Sequence, residues 1–189
     1  MISSLANYIT DIFIKNEIIQ SKKADICRYG LEIIVAGIIN LIIAFAISYP
    51  FGMCTQCMCF CICFIYLRRY TGGYHAKTYF SCNVIFALNV LILVAVLINR
   101  NVYTERVHII FCVISLIVII HFSPIENFNK KISVEKKKKY HKIAMQISSL
   151  EVSSSMFFLQ NDVEISIAIG MALISVAIAM VIEKLRKGG

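Results

Sequence analysis

The chain has 189 residues, of which 59% are hydrophobic and only 16% charged, with two prolines and no tryptophan. So apolar a composition excludes a soluble domain of this size. The formal net charge of +8 calls for no nucleic-acid partner, because its distribution follows membrane topology.

Residues 1–28 are expected to form an N-terminal interfacial helix. Ile2, Leu5, Ile9, Ile12 and Phe13 recur at helical three-and-four spacing, with Asn7, Asp11 and Lys15 opposite. Such a helix lies in the plane of a membrane interface or packs on the protein's own loops. The first 27 residues lack the compact apolar core and small-residue cleavage site of a signal peptide. The first span is therefore expected to act as an uncleaved insertion signal.

Four apolar stretches follow, at about 31–49, 51–67, 80–98 and 107–122, close to the roughly 18 residues that read as a membrane span. The second carries Cys54, Cys57, Cys59, Cys61 and Cys63. Cys54, Cys57 and Cys61 share a helical face, but no His or second Cys pair at site-like spacing accompanies them. They read as packing residues, and no metal or other cofactor is expected. A polar, lysine-rich segment, 123–142, precedes a weaker fifth stretch at 143–160 that contains Gln146, Glu151 and five serines. A sixth, 163–182, is clearly apolar. The predicted fold is a single all-α domain over 1–189, a polytopic membrane helical bundle of six transmembrane helices plus the interfacial helix.

Positive charge orients this bundle. With the N-terminus cytoplasmic and six spans, 17 of the 19 basic residues fall inside and only Arg100 and Arg106 face out. Dropping the fifth span would move Lys184, Arg186 and Lys187 outside, so both termini are expected in the cytoplasm of a multi-pass cell-membrane protein. The run Lys136 to Lys139 suits anionic lipid headgroups. On the same side lies the short polar segment from Arg68 to Cys82, with Gly72, Gly73 and His75 between them. Imidazole suits the deprotonation of a thiol near neutral pH, so His75 and Cys82 suggest a base and a nucleophile in a reducing compartment. By spacing alone they read more simply as an incidental pair beside a transmembrane helix.

The segment resembles the signature of the AgrB family, membrane cysteine endopeptidases of bacterial quorum sensing. That signature has an Arg, a Gly, a His followed by Ala, and a Cys seven residues after the His. Here these are Arg68, Gly73, His75, Ala76 and Cys82. Length, six spans, the lysine-bearing loop after the fourth span and the run Ser123-Pro124-Ile125-Glu126-Asn127 also agree.

The resemblance implies maturation of an AgrD-like precursor peptide into a cyclic autoinducer. Cys82 would attack the carbonyl at the C-terminal side of the future signal, release an acidic tail and hold the rest as a thioester. A Cys of the bound peptide would then close a thiolactone, or a hydroxyl a lactone. His75 would act as base and acid. Arg68 is a candidate for the acidic tail or the oxyanion, or it marks only the end of the second span with Arg69. Gly72 and Gly73 permit a tight turn and offer N–H groups to an oxyanion. Lys77, Lys130 and Lys131 are candidates for the tail, and Glu126 and Asn127 for orienting His75. The resemblance also admits a homodimer. A competing reading is a small transporter or channel that uses Glu151 in the polar fifth span.

The spacing of seven carries one geometric consequence. In a continuous helix His75 and Cys82 would stand about 10.5 Å apart along the axis, at roughly 1.5 Å per residue. A base–nucleophile pair therefore requires a turn before the third span, with Cys82 in its first turns.

Overall fold

In a computed structural model the chain is described over residues 2–73, 78–101, 103–125 and 133–188. These residues form seven α-helices: α1 (Ile2–Lys15), α2 (Ala24–Ser48), α3 (Cys54–Thr71), α4 (Tyr79–Ile98), α5 (Glu105–Phe122), α6 (Val134–Asn161) and α7 (Val163–Gly188). The two amphipathic and apolar N-terminal segments divide differently from the expected boundaries. The N-terminal helix stops at Lys15, and the first long apolar helix begins at Ala24 rather than near 31. Helix α6 likewise starts at Val134 and takes in the lysine run, because lysine is a good helix former where its charge stays solvated.

Among the described residues, four helical segments, Ser21–Phe51, Tyr79–Ile98, Glu105–Phe122 and Val163–Arg186, are long and apolar enough to cross a membrane. They give the chain the make-up of a multi-pass membrane protein. Helix α3 is diluted by Gln56, Arg68 and Arg69, and α6 by its lysines and serines.

Helix α7 is the most deeply embedded of the four, and it packs against α3, α5 and α6. Its run of Ala168, Gly170, Ala172, Ser175 and Ala177 lets neighbouring backbones approach, as small residues do inside membranes. One core cluster joins Phe60 and Cys61 of α3, Phe86, Val90 and Leu93 of α4, and Ile167 to Ala172 of α7. A second joins Leu67, Cys112, Ile119, Val176 and Met180. Helix α2 is peripheral, packed on α4, α3 and α1, where Ala6 and Thr10 are buried. Leu5, Tyr8 and Ile12 remain exposed on α1. Cys57 and Cys61 are buried packing side chains, with the Cys57 thiol 3.6 Å from the carbonyl of Ala44.

The two ends of the bundle are tied differently. At one, Glu164 of α7 accepts from Gln56 at 2.7 Å and pairs with Arg100. Asp162 alone separates α6 from α7, and its carboxylate accepts from the N–H groups of Glu164 and Ile165. At the other end His141 meets the Ser123 carbonyl at 2.8 Å, and the Lys184 ammonium sits 3.9 Å above the Phe122 ring.

Between α5, α6 and α7 lies a buried polar knot. The Nε2 atom of His108 is 2.8 Å from Ser155 Oγ, 3.1 Å from Ser166 Oγ and 3.7 Å from Cys112 Sγ. Ser166 Oγ also donates to the Ser155 carbonyl at 2.7 Å. Hydrogen bonds of this kind make polar side chains tolerable between membrane helices, while the buried Nδ1 of His108 has no hydrogen-bond partner among the described residues. Glu151, one turn before Ser155 on α6, is also buried, together with Ser148. The fit depends on Gly170, where a Cβ would collide with the His108 ring. Gly170→Ala is expected to cost about 1–3 kcal/mol, the usual toll of overpacking, read as lost thermal stability in detergent. The loss should shrink in a His108→Ala background, where the colliding ring is gone.

Candidate active site

The signature segment begins where α3 ends. Thr71 is the last helical residue, and the chain then turns through Gly72 (φ 69°) and Gly73 (φ 115°). Both angles lie in the left-handed region that favours glycine. The turn is held on two sides. Ile125 N–H donates to the Thr71 carbonyl at 2.8 Å, forming a bridge beside Gly72 so close that a Cβ there would strike the Ile125 carbonyl. Gly73 is buried between the Arg68 guanidinium and the α7 backbone at Ala179.

Arg68 closes the turn from within. It lies one helical turn earlier, and its Nη1 donates to the Gly72 carbonyl at 2.7 Å. Its charge is within electrostatic reach of Cys82 on α4 and of Glu183 on α7. Glu183 is itself buried and 3.7 Å from Arg186. Arg69, by contrast, is exposed.

Helix α4 starts afresh after this turn. Thr78 is extended (φ −130°, ψ 151°), and its hydroxyl accepts from Ser81 N–H at 3.2 Å as an N-cap. The helix is therefore not continuous from residue 75 to 82, because Thr78 interrupts it. Cys82 is the fourth residue of α4, half-buried and free. Near the start of a helix the backbone dipole favours negative charge. Tyr79, in the same turn, donates its hydroxyl to Glu32 of α2 at 2.7 Å.

Arg68, Gly72 and Gly73 thus form one turn at the end of α3, with the Arg68 charge within electrostatic reach of Cys82. His75, Lys77, Glu126, Asn127, Lys130 and Lys131 lie outside the described residues. Glu183 and the Glu32–Tyr79 pair are additions that the motif did not contain. A lone acid inside or at the end of an apolar run was the available signal. The Cys–His contact between Cys112 and His108 is a different matter. Both residues are buried with at most 1% exposure, so no peptide reaches them, and their chemistry is that of packing.

These features define a class, a helical membrane protein with a cysteine at a capped helix start beside an arginine-locked diglycine turn. The chain belongs to the accessory gene regulator B (AgrB) family, whose model matches residues 6–182. It is 25% identical over 169 residues to a putative AgrB-like protein of Clostridium perfringens (strain SM101 / Type A), covering 85% of this chain and 76% of that one. A second, putative AgrB-like protein 2 of Clostridium perfringens (strain 13 / Type A), is 23% identical with the same coverage. Protein FsrB of Enterococcus faecalis (strain ATCC 47077 / OG1RF) is 26% identical over 103 residues, 54% of this chain and 43% of that protein. No solved structure matches the chain.

The turn supplies a stability test. Gly73→Ala combines a left-handed φ with a collision against Arg68, and should cost about 1–3 kcal/mol. Gly37 of α2 has open space around it, so Gly37→Ala should be neutral or stabilise by up to about 1 kcal/mol through helix propensity. Thermal unfolding of the two variants in the same detergent compares them directly.

Proposed function

We propose that this chain is a six-span membrane cysteine endopeptidase that matures an AgrD-type precursor into a cyclic quorum-sensing peptide. The observation that carries the reading is, in an AgrB-family chain, a Cys82 at a helix start within electrostatic reach of the Arg68 that locks the Gly72–Gly73 turn. The helices α2 to α7 are its spans. Their ends at Thr71, Tyr79, Phe122 and Val134 belong to the cytoplasmic face, where Arg69 and Lys136 to Lys139 are exposed.

His75 takes the thiol proton, and the Cys82 thiolate adds to the scissile carbonyl. The peptide C–N bond then breaks, and His75 returns the proton to the departing amine of the acidic tail. The peptide remains as a thioester. A thiol within the peptide displaces Cys82, forming the ring C–S bond as the enzyme's C–S bond breaks, and its proton returns to Cys82. Thioester exchange is nearly isoenergetic, so no nucleotide is consumed. Ring closure must outrun water, which requires the two ends to be held together.

Arg68 offsets the charge that builds on sulfur and oxyanion while keeping the turn closed. Arg69, Lys77, Lys130 and Lys131 meet the acidic tail. Glu126 and Asn127 remain the candidates for orienting His75. Glu151 sits in the interior face of α6 with Ser148 and Ser155, a placement that suits helix packing more than a transport path.

In proteoliposomes, Cys82→Ala and His75→Ala should each abolish tail release from a precursor peptide while leaving insertion intact. Cys82→Ser should be feeble, because imidazole alone barely activates an alcohol. Replacement of Cys54, Cys57, Cys59, Cys61 and Cys63 together should retain cleavage. Persistent processing by Cys82→Ala would refute the reading. For topology, a membrane-impermeant maleimide outside intact cells should label a Cys placed at Asn101 or Asn161 but not at Ser133 or Gly188. Labelling at Gly188 would remove a span.

A further inference from the structure

Glu32 is the only charged residue between positions 31 and 49. An acid inside an apolar, membrane-length helix is expensive and persists where a partner holds it. Its partner is the hydroxyl of Tyr79, 2.7 Å away and 47 residues along the chain. Tyr79 opens α4, and Cys82 follows three residues later on the same helical face. The phenol also lies within electrostatic reach of Cys82 and of Tyr29, one turn before Glu32 on α2. Helix α2 is peripheral, so this bond is a polar tether between the edge of the bundle and the turn that bears the thiol.

We propose that Glu32 and Tyr79 are a positioning pair, whose hydrogen bond fixes the first turn of α4 against α2 and so holds Cys82 at one place within reach of Arg68. The inference rests on the reading of Cys82 as nucleophile and adds two residues to the same site. The Thr78 cap fixes the backbone of that turn, whereas the direction in which α4 leaves it needs a lateral contact. Acyl transfer is sensitive to such direction, because a misplacement of about 1 Å costs on the order of a hundredfold in rate.

The test uses the full chain in proteoliposomes with a synthetic precursor peptide carrying an internal Cys and an acidic tail. Tyr79→Phe and Glu32→Ala should each lower kcat for tail release about tenfold, with KM unchanged within about twofold. The double variant should be no worse than either single one, since both remove the same bond. Glu32→Gln, whose amide oxygen still accepts from the phenol, should retain nearly native kcat. Additive losses, a loss confined to KM, or a Glu32→Gln variant as poor as Glu32→Ala would overturn the pair.

Alkylation separates this inference from the peptidase reading. Iodoacetamide modification of Cys82, followed by mass spectrometry at fixed pH, should change in rate by about threefold or more in Tyr79→Phe and Glu32→Ala alike, and not in Glu32→Gln. Equal rates in all four proteins would overturn the pair even if Cys82→Ala abolished cleavage. Tail release by Cys82→Ala would sink the peptidase reading, and alkylation would still decide the pair.

Discussion

Helix α7 can be shared by α3, α5 and α6 only because its inward positions are small. Ala168, Gly170, Ala172 and Ala177 admit neighbouring side chains that a larger residue would expel. Inside a bilayer the hydrophobic effect does little to drive helices together, so packing and internal hydrogen bonds carry the association. Gly170 shows both at once. It makes room for the His108 ring, and that ring draws Ser155 and Ser166 into a network joining three helices. The polar fifth stretch makes sense in this setting, because Ser148, Glu151 and Ser155 are turned into the bundle rather than to lipid.

The signature turn inherits its rigidity from that arrangement. Gly73 is pressed against the α7 backbone at Ala179, and Gly72 against Ile125 beyond the end of α5. With Arg68 bonded to the Gly72 carbonyl, the turn has support from α3, α7 and the segment after α5. Helix α4 meets it as a separate piece, capped at Thr78 and tied sideways to α2 through Tyr79. The proposed nucleophile therefore sits at a junction between the central helices and the edge of the bundle. Its geometry depends on contacts at both sides.

Much of this was legible from residue pattern. Seven helical segments follow from apolar periodicity, and the break before α4 follows from Gly72, Gly73 and the argument that a straight helix separates positions 75 and 82. The helix starts were less legible. Asp25 and Arg28 look interfacial in the sequence, yet they pair with each other at 3.5 Å on the first turn of α2, so charge did not mark a boundary. The lysines of α6 misled in the same way, because a solvated lysine run is compatible with helix. At the site, the motif residues were singled out by the family resemblance, since by spacing alone Cys82 and His75 read as an incidental pair. Glu32 and Glu183 were not, because a lone carboxylate gains meaning only once the fold shows which group faces it. The His108–Cys112 pair illustrates the converse. Its spacing of four permits contact on a helix, and the contact exists, yet burial removes it from any reaction.

Charge balance at this end of the bundle gives these carboxylates a common logic. A carboxylate in a half-buried setting is costly unless its charge is committed to a neighbour. Glu183 is paired with Arg186 and lies within reach of Arg68, and Glu32 accepts the Tyr79 hydroxyl. Both negative charges are thus engaged by neighbours within the protein. Arg69 and the run Lys136 to Lys139 are exposed to solvent. An exposed cluster of one sign raises the local concentration of anionic groups outside the bundle, whereas carboxylates already paired inside it add little to that field.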